Sequence, residues 1–145
     1  MNIAYLNPDI ALKALINNKI KVRVSDAEER LVKVYASGEQ PNTNLADEFI
    51  NVDWNGVTRS LTEPLGLFTG TLILTIWAKA YPDGRANKIV THRIIEQVYT
   101  YVDRMTEGEY HYTIDADNVV MPITIDNSTG YSTMAINVRW HTTKG

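Results

Sequence analysis

The chain has 145 residues, 44% apolar and 21% charged, a balance that fits a single domain over residues 1–145 whose core needs no metal or disulfide support. Fourteen basic residues against 17 acidic ones give a net charge of −3, so no global field draws the chain to nucleic acid or to an anionic membrane. With no cysteine, disulfides and thiolate metal sites are excluded; no run reaches the length of a membrane span, and the opening Met1–Pro8 lacks a basic region before an apolar stretch, so we expect no signal peptide and synthesis in the cytoplasm.

In chain order, Asn7-Pro8-Asp9 predicts a helix start: Asn7 can cap, Pro8 suits the first helical position, and Asp9 faces the positive end of the dipole. Leu12, Leu15 and Ile16 make an i, i+3, i+4 patch, and Asn17-Asn18 ends the helix. Residues 19–24 alternate, Ile20, Val22 and Val24 inward, Lys19, Lys21 and Arg23 outward. After the polar turn 26–29, residues 31–36 read as the returning strand of a hairpin. Residues 37–44 are a loop around Gly38 and Pro41. Residues 48–54 predict a strand that stops at the turn signal Asn55-Gly56. The segment 58–70 then lacks a period and reads as a long loop, yet it carries Leu61, Leu65, Leu67 and Phe68.

Residues 71–80 carry the clearest strand signal. Leu72, Leu74, Ile76, Ala78 and Ala80 share one face, and Ile73, Thr75, Trp77 and Lys79 the other, which predicts a strand buried wholly on one side and partly on the second. Tyr81-Pro82-Asp83-Gly84 breaks it. A long helix over about 86–105 follows, with Ala86, Val90, Ile94, Val98 and Val102 on one row, widened by Tyr101 and Met105. Thr91, Arg93, Glu96, Gln97 and Arg104 fall largely outside it and are expected in solvent, with Gly108 as the stop. Residues 109–114 read as a strand or an extended connection. A second hairpin joins 119–125 to 131–141, with Pro122 marking an edge or a bulge. The order predicts an α+β domain: one mainly antiparallel sheet packed by a short N-terminal helix and one long helix.

Chemical motifs are sparse. His92, His111 and His141 lack metal-ligand spacing and read as ordinary boundary histidines, so no metal or cofactor is expected. Asp115-Ala116-Asp117-Asn118 resembles the start of a calcium loop but lacks its glycine and distal glutamate. No phosphate-binding glycine pattern or nucleophile elbow is present, so the chain is not expected to be an enzyme. Two features rise above background. Lys19, Lys21 and Arg23 form a basic face, either a solvated face that deters edge aggregation or an electrostatic contact surface. Asp103, Glu107, Glu109, Asp115, Asp117 and Asp126 form an acidic stretch broken by Arg104. The two make a bipolar subunit suited to head-to-tail association. The candidate interface therefore comprises Lys19, Lys21, Arg23, Leu61, Leu65, Leu67, Phe68, Asp115 and Asp117.

The layout resembles the tail terminator and head–tail connector (neck) family of tailed bacteriophages. The resemblance is carried by the helix Asn7–Asn17, the glycine-led strand opening Gly70-Thr71-Leu72 and holding Ile76-Trp77-Ala78, the Tyr81–Gly84 break, the helix Ala86–Met105 and the closing hairpin. It implies a non-enzymatic virion protein without cofactor, a homo-oligomeric ring, expected to be a hexamer, that docks on tail tube or connector proteins. It implies no membrane and no sequence-specific nucleic acid, with DNA free to pass through the ring. A bacterial α+β protein- or ligand-binding module without catalysis is the alternative.

Overall fold

The computed structural model describes residues 6–23, 25–40, 45–59, 68–115, 124–126 and 129–142. In order these form α1 (Pro8–Ile16), β1 (Lys21–Arg23), β2 (Glu29–Leu31), β3 (Lys33–Ala36), β4 (Glu48–Arg59), β5 (Phe68–Lys79), α2 (Lys88–Val102), β6 (Thr106–Glu107), β7 (Tyr110–Ile114), β8 (Thr124–Asp126) and β9 (Tyr131–Thr142). The fold is α+β, built on a seven-stranded sheet of order β3-β4-β5-β9-β7-β6 with β8 also paired to β9. Every pairing in it is antiparallel except β3 with β4.

The alternation seen in the sequence sets the two faces. Leu72, Leu74 and Ile76 lie opposite Val138, Ile136 and Met134 of β9, and Leu74 and Ile76 opposite Val52 and Ile50 of β4. This face is sealed. α2 packs Val90, Ile94, Val98 and Val102 into the same core, and α1 adds Leu12, Leu15 and Ile16. Among the described residues the opposite face has no helix, and its centre (Ile73, Thr75, Ala135, Asn137) is half-buried. An aromatic group covers one end of it: Phe49 stacks on Trp77 at 5.5 Å, and Tyr35 and Tyr131 meet Phe49 edge-on.

Several expected boundaries move. The return strand of the first hairpin is Glu29–Leu31, not 31–36. Val32, buried, still donates its N–H to Ile20 O at 2.8 Å, after which 33–36 leaves to join β4 in parallel. The hairpin is thus a two-stranded ribbon beside the main sheet. Asn55-Gly56 is no turn, because β4 continues to Arg59 through a register shift between Trp54 and Val57. The expected loop 58–70 is shorter in consequence, since 58–59 and 68–70 belong to the paired strands β4 and β5.

α2 ends at Val102, earlier than expected, so Met105 lies beyond it and is exposed. Arg104 takes the left-handed conformation there, and Gly108 (φ 60°) instead turns β6 into β7. Thr91 is fully buried rather than solvated, its hydroxyl satisfied by Asn87 O and Lys88 O. Asn7 sits at the N-cap, but its side chain caps nothing and instead accepts from Tyr110 OH at 3.0 Å. Pro122 lies outside the described residues. Among the described residues, no helix is long and apolar enough to cross a membrane.

Candidate functional site

The basic residues of β1 keep the outward direction their alternation predicts, and the structure gives that face a second wall. Because Ile20 and Val22 turn their backbone groups toward β2, those of Lys21 and Arg23 point away from it. α2 satisfies them. Gln97 Oε1 accepts from Lys21 N–H at 2.8 Å, and Gln97 Nε2 donates to Lys21 O at 2.6 Å. One turn earlier, Arg93 Nη1 donates to Arg23 O at 3.3 Å. Two helix side chains thus replace a third strand along the ribbon edge, which leaves the basic side chains free to line a groove.

That groove, of about 770 Å³, lies between β1 and α2 and collects Lys19, Lys21, Arg23 and Arg93 against Glu29 and Glu96. Arg23 is tied to Glu29 at 2.9 Å. Lys19 Nζ stands 5.9 Å from the Tyr101 ring centroid. Among the described residues, Lys19, Lys21 and Arg93 have no carboxylate within ion-pair distance. Sequence reading placed Arg93 and Gln97 in solvent, and only the seating of the ribbon on α2 shows their role.

A neighbouring groove shares Arg23 and Arg93 and reaches Arg30, Glu48 and Lys79. Glu48 is buried at the end of the sealed face and accepts from Arg30 Nη2 at 2.7 Å. Burial pushes its carboxyl above the usual range, with the Arg30 guanidinium working against that. Glu28 and Asp47 each lie 3.7 Å from Arg30.

Of the acidic pair in the expected interface, Asp115 is among the described residues. Asp115 is tied to Arg139 at 3.1 Å and is largely covered, so its charge is neutralised within the chain. Asp103 is also committed, accepting from Ile114 N–H at 3.0 Å. Asp117 and the side chain of Asp126 lie outside the described residues. Phe68 is buried in the subunit. It opens β5 opposite Arg59, is 2% exposed, and donates its N–H to Thr142 Oγ1 at 3.0 Å. Leu61, Leu65 and Leu67 lie outside the described residues.

Two of the three histidines converge despite their distance in sequence. His111 and His141 sit directly opposite each other on β7 and β9, with rings stacked at 4.8 Å and 13° between planes. Burial, and secondarily His111, push the His141 imidazole below its ordinary range. Among the described residues, no group of three or more His, Cys, Asp or Glu is placed to hold a metal ion.

Compared with known proteins, the chain matches no family model and no curated sequence.

Proposed function

We propose that this chain is a non-catalytic assembly subunit, a structural virion protein that forms a homo-oligomeric ring at the tail end or neck of a tailed phage and docks on tube or connector proteins. The observation that carries the assembly reading is the groove between β1 and α2. Among the described residues, Lys19, Lys21 and Arg93 stand there without carboxylate partners, while the backbone beside them is already satisfied by the helix. Arg93 also holds Arg23 O and Lys19 stands over Tyr101, but the charges of the three cations are not neutralised by a described carboxylate. Glu29 and Glu96 are interspersed among the cations, a mixed pattern that a protein surface can match and a run of phosphates cannot. The virion setting rests on the resemblance of the helix–strand–helix layout.

The experiment reverses Lys19 and Lys21 to Glu and leaves Arg23, whose carboxylate partner is internal. Sedimentation should show wild-type association that weakens as salt rises past about 0.15 M, and a variant that stays smaller at every salt concentration. An oligomer distribution unchanged by both treatments overturns the contact. A wild-type monomer at all concentrations favours the binding-module alternative.

A further inference from the structure

We propose that His111 and His141 form a two-imidazole site for a borderline divalent transition ion such as Zn²⁺, Ni²⁺ or Cu²⁺. Three observations converge on it. The histidines are cross-strand partners, so their Cβ atoms are held about 5 Å apart by the β7–β9 ladder, a separation two imidazoles can bridge with one ion. His111 is oriented from behind: its Nδ1 lies 2.9 Å from Thr106 Oγ1 of β6. With Nδ1–H donating to that hydroxyl, Nε2 carries the bare lone pair, the arrangement in which a second-shell oxygen fixes a ligating imidazole. His111 Nε2 is buried and has no hydrogen-bond partner among the described residues, although a buried ring nitrogen normally finds one.

The stacked rings are not themselves a chelate, since their lone pairs run nearly parallel. His141 supplies the missing movement. It is exposed, so its ring can swing from face-on to edge-on with little packing to displace. The surroundings admit a hydrated cation: the groove on the His141 flank is lined by Thr69, Thr71 and Thr113. Its cation among the described residues, Arg139, is tied to Asp115. Imidazole donors without carboxylate or thiolate select Zn²⁺, Ni²⁺ and Cu²⁺ over Mg²⁺ and Ca²⁺, with water completing the coordination.

Titration calorimetry with ZnCl₂ on the intact chain tests the site, with MgCl₂ as the control ion. One Zn²⁺ per chain should bind, without a Mg²⁺ counterpart, and thermal unfolding should shift upward with Zn²⁺ concentration. His141→Ala, at an exposed position, should keep the fold by circular dichroism and lose the binding. Thr106→Val should weaken binding by about 10-fold or more. His92→Ala, on the distant helix, should bind as wild type does. No Zn²⁺ binding up to about 1 mM overturns the proposal. Binding that survives in His141→Ala overturns it equally, because the ion would then be held elsewhere.

Discussion

Tyr112 shows how much a single side chain can carry here. It is almost fully buried on β7, and its hydroxyl donates to Pro8 O at 2.6 Å, pinning the start of α1 to the sheet. Tyr112→Phe leaves that carbonyl without its partner and should lower stability by about 1–3 kcal/mol, read from urea unfolding. Burial also drives the phenol well above its ordinary range. A raised folded-state pKa means the stability it contributes is complete below about pH 10, the unfolded value, and is lost as pH climbs further. Wild type should therefore unfold with added alkali more steeply than Tyr112→Phe. Glu48 follows the same sign at the acid end. Its carboxyl is raised by burial, so its contribution is fullest when protonated and declines as pH rises through the folded value. The stability difference between wild type and Glu48→Gln should shrink from about pH 4 to pH 7; parallel curves would show that Arg30 cancels the burial. None of these partnerships was legible in sequence. Tyr112 and Pro8 are 104 residues apart, and His111 and His141 meet only because β7 lies beside β9.

Among the elements, β5, α2 and β9 were legible and the bounds of β3 and β4 were not, for a physical reason. β5, α2 and β9 carry their own period over many residues, so local alternation decides burial before tertiary context acts. Ile94, fully buried at the middle of α2, is the anchor of that helix, and Ile94→Ala should cost about 2–5 kcal/mol in urea unfolding. The run 31–36 carries strand formers throughout, and its division after Val32 is set by two different partners, Ile20 and β4, that no local pattern names. Asn55-Gly56 is a turn signal overridden by β5, whose length keeps β4 paired beyond it through a bulge. Gln97 was read as solvated because it falls off the apolar row, yet it serves as the missing neighbour of β1. Gln97→Glu keeps no donor for Lys21 O, and Gln97→Ala keeps neither bond. Amide exchange at Lys21 should accelerate in the alanine variant, at a cost of about 1 kcal/mol; unchanged exchange would show that the ribbon does not depend on the helix.

At the scale of the whole molecule, the defining property among the described residues is one-sidedness: both helices cover one face of the sheet, and the other carries half-buried side chains, one aromatic group and the His111–His141 pair. Adjacent rows of the same strands test this directly. Leu74 faces Ile136 on the sealed side, and Thr75 faces Ala135 on the open side. Leu74→Lys would drive an unpaired ammonium into the core and should unfold the chain, a loss beyond about 4 kcal/mol. Thr75→Lys, one residue along, can extend its ammonium into water and should change stability by less than about 1 kcal/mol. The same variant separates two ways of building an assembly. If copies meet through the groove between β1 and α2, Thr75→Lys should sediment as wild type does, while reversal of Lys19 and Lys21 weakens association. If Thr75→Lys dissociates a wild-type oligomer without loss of thermal stability, the open sheet face is the contact. The unpartnered lysines would then serve only to keep the ribbon soluble.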